Sequence, residues 1–189
     1  MTEFTADITE ALTVLNRGGV ILYPTDTVWG LGCDATNSKA VEKLTTLKGK
    51  PPHRGLIVIL ASERDVLQYT ANPDFAVFDY LNTAAKPTTV IYEHGLGVAD
   101  EVLNEDGSIA IRLVKEDFCR HLLKRFRKPV VSTSANRHGQ PTPQNFVDVS
   151  DEIKFGVDYV VNYRQNDTLP HIASSIIQWK NGNCLIIRA

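Results

Sequence analysis

The chain has 189 residues, 43% hydrophobic and 22% charged, with a formal net charge of −2. These values fit a globular protein with a real core, expected as a single domain over residues 1–189. They exclude a global electrostatic pull toward nucleic acid or an anionic membrane, so any basic site must be local, and no apolar run approaches the roughly 18 residues of a bilayer span.

Apolar residues at Ile8, Ala11, Leu12 and Leu15 predict a helix over Asp7–Arg17, stopped by Gly18-Gly19. Val20–Tyr23 reads as a buried strand. It leads into Pro24-Thr25-Asp26-Thr27-Val28-Trp29-Gly30-Leu31-Gly32-Cys33-Asp34, read as a strand exit whose glycines bend the backbone or approach a ligand. Ligands bind at strand ends in α/β folds, so this stretch is either a site or an ordinary loop. Ser38 caps a predicted helix through Lys48, and Leu56–Leu60 is a continuous apolar strand. Asn72-Pro73 opens another helix, with Pro at its first position.

Thr88–Tyr92 and Ile109–Leu113 read as strands. Glu116–Arg127 is an amphipathic helix burying Phe118, Cys119, Leu122, Leu123 and Phe126. Pro129–Ser132, Tyr159–Val161, Ala173–Trp179 and Cys184–Arg188 complete the strands, the last two as a hairpin turned by Asn181-Gly182. Strands and helices alternate early and hairpins come late. The expected fold is therefore α/β, a twisted mixed sheet with flanking helices.

The segment Lys48-Gly49-Lys50-Pro51-Pro52-His53-Arg54 concentrates cations. A helix C-terminus favours Lys48, but Lys50 and Arg54 lie beyond the helix, and such a cluster suits a polyphosphate. Ser132-Thr133-Ser134-Ala135-Asn136 leaves a strand with hydroxyls and an amide, either for a polar ligand or for a turn. The basic run Arg120, His121, Lys124, Arg125, Arg127 and Lys128 is either a solvated helix face or an RNA backbone contact.

Neither a Walker loop nor a dinucleotide fingerprint is present, and no Gly-x-Ser-x-Gly elbow. The five histidines, His53, His94, His121, His138 and His171, lack paired metal-ligand spacing and read mostly as surface residues. Cys33, Cys119 and Cys184 suggest neither a disulfide framework nor a zinc site. With an N-terminus unlike a signal peptide, they point to the reducing cytoplasm.

Taken in order, these segments resemble the YrdC-like domain family. Tyr23–Gly32 resembles its Tyr-Pro-Thr-Glu-Thr-Val-Tyr-Gly-Leu-Gly signature, and Lys48-Gly49-Lys50 its Lys-x-Arg motif. Pro87-Thr88-Thr89, Ile111-Arg112, Ser134-Ala135-Asn136 with Gly139–Thr142, Ser174–Ile177 and Ile187-Arg188 resemble further motifs in the family's order. The likeness runs from about Ala11 to Arg188. It implies a sheet around a large concave basic cavity, in the short single-domain bacterial form.

The implied activity is L-threonylcarbamoyladenylate synthesis: threonine, bicarbonate and ATP give threonylcarbamoyl-AMP, pyrophosphate and water. Partner proteins would transfer the threonylcarbamoyl group to tRNA, and tRNA or double-stranded RNA binding is implied as well. The chemistry brings anions together, so neutralisation and alignment are needed rather than a covalent intermediate. Carried over by motif, Lys48, Lys50 and Arg54 hold the triphosphate, with Mg²⁺ accompanying ATP and no protein-held metal. Thr27 contacts threonine. Thr89, Ser132, Ser134, Asn136, Thr142 and Ser174 line the threonine and nucleotide pockets, and Arg112 and Arg188 serve carboxylate or phosphates.

This chain departs from the family at Lys50 (usually Arg), at Ala85-Lys86 (usually Pro-Gly), at Ile59 (a threonine-binding His in many members) and at Leu113-Val114 (usually aliphatic-Pro). The alternative to a synthase is a weakly active or non-catalytic paralogue acting as an RNA-binding, translation-associated module, or one that binds nucleotide only.

Overall fold

The computed structural model describes residues 3–50, 56–180 and 182–189. Helix α1 (Thr5–Asn16) is followed by strands β1 (Ile21–Tyr23) and β2 (Gly30–Asp34), helix α2 (Ser38–Lys48) and strand β3 (Ile57–Leu60). Helices α3 (Glu63–Tyr69) and α4 (Ala76–Thr83) precede β4 (Thr88–Tyr92), a 3-10 turn at Asp100–Val102 and β5 (Ile109–Leu113). Helix α5 (Asp117–Phe126), β6 (Val130–Ser134), α6 (Asp151–Gly156), β7 (Tyr159–Val160), β8 (Ser175–Lys180) and β9 (Asn183–Arg188) complete the chain.

All the strands share one sheet, ordered β7-β1-β2-β6-β3-β5-β4-β8-β9. It is mixed: β1/β7, β3/β5 and β4/β8 are parallel, and the remaining neighbours are antiparallel.

The two faces are covered unequally. On one, Leu22, Leu31, Val58, Val90, Ile111, Val131 and Ile177 form a continuous core with Val41 and Leu44 of α2, Val77 of α4 and Ile153 of α6. On the other, Ile21, Tyr23, Ile59 and Val130 pack against Ile8, Ala11 and Leu15 of α1 and Phe118, Leu122 and Phe126 of α5. Only part of this second face is covered, and its open part carries the cavity described below. The buried stripe of α5 is the one the apolar spacing predicts, and the side chain of Glu116 caps it by accepting from Cys119 N at 2.8 Å.

Several local expectations are corrected. Gly30–Asp34 is not a loop after a strand exit but a fully buried strand, so the first two strands already pair antiparallel. Its glycines answer to crowding. A Cβ on Gly32 would lie 2.6 Å from Tyr23 Cε1, and one on Gly30 would lie 3.3 Å from Ser132 Oγ. Asn37 rather than Ser38 caps α2, accepting from Ala40 N at 3.3 Å. The helix expected from Pro73 begins at Ala76, because Asn72 takes a left-handed φ of 47° and Asp74 accepts from Ala76 N. The predicted hairpin is present as the antiparallel β8–β9 pair with Gly182 at φ 71°, while Asn181 lies outside the described residues. No helix among the described residues is long and apolar enough to cross a membrane.

Candidate functional site

The site is built in rows across the open sheet face. Ile59, Arg112, Thr89, Ile176 and Arg188 are successive cross-strand partners on β3, β5, β4, β8 and β9. Residues two apart on a strand share a face, so Ile57, Ala110 and Ile91 form a parallel apolar row beside them. Next to these strands, Ser132 and Ser134 on β6 face Gly32 and Gly30 on β2. The missing side chains on β2 leave room over the serines.

Above these rows lies a cavity of about 310 Å³. Its lining includes Thr27, Lys48, Lys50, Arg112, Ser132, Ser134, Asn136, Thr142, Ser174 and Arg188. Segments spread from Thr27 to Arg188 thus converge on one concavity, as the motif order implies. Arg54 falls outside the described residues. Thr89 is brought close but does not line the cavity. It is fully buried behind Ser174, with the two hydroxyls 2.9 Å apart. Ile59 is likewise fully buried, in the core under α5.

Lys48 reaches the cavity from the last turn of α2. Gly49, at φ 63°, closes that helix, and its N–H and that of Lys50 return to Thr46 and Thr45 carbonyls at 3.0 Å. This reversal carries Lys50 to the cavity wall. The Lys48 ammonium donates to the carbonyls of Ser134 and Asn136. Burial, then the charge on Lys50, lowers its pKa to about 8. Burial also lowers that of Lys50. Asn136 in turn closes its own loop, donating to Gln140 O at 2.6 Å.

The second cation pair is formed by Arg112 and Arg188. Arg188 is anchored by Nε and Nη2, which donate to Ser174 O at 3.1 and 2.7 Å. Burial and then the neighbouring Arg112 lower its pKa. Arg112 is 4% exposed and stands 3.2 Å from Asp26 Oδ1.

Thr27 is presented by a hydroxyl-closed turn. Thr25 Oγ1 donates to Val28 O at 2.8 Å and accepts from Thr27 N at 3.0 Å. Arg164 donates to Thr25 O from the far side.

The sequence reading missed Ile57, Ala110 and Ile91, the apolar floor, together with Asn104 and His138. The floor follows from strand alternation once Arg112 is placed. His138 sits just past the Ser-Ala-Asn segment, its N–H donating to Lys48 O at 2.7 Å. Asn104 carries no sequence signal.

The described lining contains four cations, hydroxyls and amides, and no carboxylate. Among the described residues no group of three or more His, Cys, Asp or Glu could hold a metal ion. Such a site suits multiply charged anions. The basic run of α5 lies elsewhere. Arg120, His121, Lys124, Arg125, Arg127 and Lys128 are exposed, and Lys124, Arg127 and Lys128 border a separate cavity of about 430 Å³ with Tyr69 and Asp65.

Residues 13–189 match the family profile Sua5_yciO_yrdC, described as "Telomere recombination". The chain is 37% identical over 137 residues to the threonylcarbamoyl-AMP synthase of Saccharophagus degradans, covering 70% of each chain. It is 34% identical over 160 residues to that of Idiomarina loihiensis, covering 83% of this chain and 86% of the other. Its fold is similar to that of P. abyssi Sua5 complexed with L-threonine, with a TM-score of 0.84 at 20% identity, over 97% of this chain and 54% of that one.

Proposed function

The chain belongs to the Sua5/YciO/YrdC family, and from that membership and its cavity we propose that it is an L-threonylcarbamoyladenylate synthase. It is a nucleotidyltransferase that makes threonylcarbamoyl-AMP and pyrophosphate from L-threonine, bicarbonate and ATP for tRNA modification. The observation that carries this reading is two cation pairs, Lys48/Lys50 and Arg112/Arg188, in one cavity whose described lining holds no carboxylate.

The reaction explains why such a wall is needed. The threonine amine attacks the bicarbonate carbon with loss of water. The resulting carbamate oxygen attacks the α-phosphorus of ATP, and pyrophosphate leaves. Each step brings anions together, and fixed cations lower that repulsion most where water is excluded. Lys48 and Lys50 would take the triphosphate, and Arg112 and Arg188 the carboxylate and carbamate. Thr27, Ser132, Ser134, Asn136, Thr142 and Ser174 would orient the two substrates by hydrogen bonds. Thr89 would act behind Ser174, and Arg54 would add to the phosphate wall.

The apolar floor of Ile57, Ala110 and Ile91 lowers the local dielectric, which strengthens each of those contacts. Mg²⁺ would accompany ATP, and with hydroxyls and amides around it its ligands would be phosphate oxygens and water. Its chemistry there would be to neutralise charge on the phosphates. The described lining offers no carboxylate base, so the substrate amine would lose its proton to bicarbonate or water.

The test is incubation of the protein with ATP, L-threonine and bicarbonate. Pyrophosphate and threonylcarbamoyl-AMP are expected only when all are present. Pyrophosphate release that ignores threonine would overturn the reading.

The cytoplasm would be the site of this reaction, and a downstream transferase would take the labile product to tRNA. Contact with tRNA or double-stranded RNA has a separate candidate surface, the exposed basic face of α5. If that face touches phosphates, tRNA affinity falls steeply with salt and the slope flattens in Lys124→Glu/Arg127→Glu. Affinity insensitive to both would remove α5 from the contact.

A further inference from the structure

Arg112 and Asp26 are bound to each other in an unusual way. The guanidinium is almost fully enclosed, yet its Nε and Nη2 have no hydrogen-bond acceptor among the described residues. Asp26 Oδ1 lies 3.2 Å from Nη2, but it too makes no hydrogen bond. The contact is therefore an ion pair out of hydrogen-bonding geometry. It holds the charge in place without consuming the donors.

A buried guanidinium cannot relieve this by losing its proton, since arginine stays charged in proteins. Unused donors on a buried charge are costly, and the Asp26 carboxylate beside Nη2 offsets part of that cost. The neighbouring Arg188 is different, because Nε and Nη2 are both engaged by Ser174 O. Arg112 lines the same cavity without such a hydrogen-bonded anchor, so the Asp26 carboxylate is what orients it.

Asp26 owes its place to the turn between β1 and β2. Thr25 closes that turn on Val28 and Thr27, and Arg164 pins it from outside. Adjacent residues consequently divide the work: Thr27 lines the cavity, while Asp26 stands outside its lining and reaches the Arg112 guanidinium.

We infer that Asp26 is a positioning residue, which holds the Arg112 guanidinium from outside the lining so that its cavity-facing edge meets the carboxylate of the amino-acid substrate. The inference rests on the synthase reading for the identity of that substrate. The acceptor is a planar carboxylate, which a guanidinium edge recognises by charge-assisted hydrogen bonds.

The readout is the affinity ratio between L-threonine and L-threoninamide, measured by calorimetry with ATP present. Threoninamide lacks the charged carboxylate, so the ratio reports the alignment of the guanidinium rather than the general health of the fold. Asp26→Asn is expected to lower this ratio about tenfold, the scale of a lost charge-assisted hydrogen bond. ATP affinity should change far less, and Asp26→Glu should restore the ratio. In an Arg112→Gln background, Asp26→Asn should lower it no further.

If Asp26→Asn does not fold, Asp26→Ser is read in the same way, because its smaller side chain leaves room for water beside the guanidinium. An unchanged ratio in a folded Asp26 variant, with the ratio lost in Arg112→Gln, overturns the positioning role and leaves the synthase reading standing. An unchanged ratio in both overturns the assignment of Arg112 to the carboxylate. Failure to bind threonine in the wild-type protein sinks the synthase reading itself.

Discussion

Lys48 Nζ is 2.7 Å from the carbonyl oxygens of both Ser134 and Asn136. One side chain therefore clamps the loop after β6 and supplies positive charge to the cavity that the loop borders. The two tasks are separable by experiment, because the clamp belongs to the fold and the charge to the ligand.

Lys48→Met is expected to lose both. Removing a buried ammonium leaves the two carbonyls without their donor, a cost of about 1–3 kcal/mol. ATP affinity should fall as well, and product formation by about a hundredfold or more. Thermal melting together with calorimetry checks this. An unchanged melting temperature would show that the loop holds itself through the Asn136 to Gln140 bond.

The lowered pKa of Lys48 makes two opposite pH dependences. Its pKa is about 8, against 10.5 for an ordinary lysine. ATP affinity is greatest with the lysine protonated, so it should weaken as pH rises through about 8. Folding stability should run the other way. Between the two pKa values the unfolded chain binds more protons than the folded one, so stability rises with pH in that window and is lost again as pH falls through about 8. Denaturant titrations and ATP calorimetry on either side of that pH check both signs. Lys48→Gln should flatten both curves.

Gly32→Ala should destabilise the fold despite its small size. The added Cβ would fall 2.6 Å from Tyr23 Cε1 and 3.1 Å from Val131 O. Neither the buried ring nor the strand backbone can yield freely, which sets the cost at about 1–3 kcal/mol. Urea unfolding measures it, and a cost below about 0.5 kcal/mol would mean that Tyr23 repacks without strain.

Thr89 and Ser174 form a buried hydroxyl pair at 2.9 Å. Ser174→Ala should cost about 1–3 kcal/mol, because it strands the Thr89 hydroxyl away from water. Thr89→Val combined with Ser174→Ala should cost less than the sum of the single changes, since no polar group is then left behind. A strictly additive double variant would show that water reaches the pair.

The residues show why some of this architecture could be read in advance. The stripe of α5 and the strands around Val58, Val90 and Ile111 are set by local periodicity, which sequence displays directly. Strand β2 escapes that logic. Gly30 and Gly32 look like loop residues, and only neighbours across the ladder, Ser132 beside Gly30 and the ring of Tyr23 beside Gly32, explain them. Helices α3 and α6 are too short to show a repeating pattern. The motif residues Lys48, Arg112, Ser134 and Arg188 are legible through their order along the chain, whereas Asp26 reads only as one polar residue of a strand exit, because its partner comes from β5.

The row from Arg112 through Thr89 and Ile176 to Arg188 also bears on the order of assembly. Its parallel pairing of β4 with β8 joins segments far apart in the chain, Thr89 with Ile176. Non-local pairings of this kind close large loops and form slowly. During refolding, helical signal should recover before threonine or ATP can be captured. Ligand capture would thus serve as a clock for the final closure of the sheet.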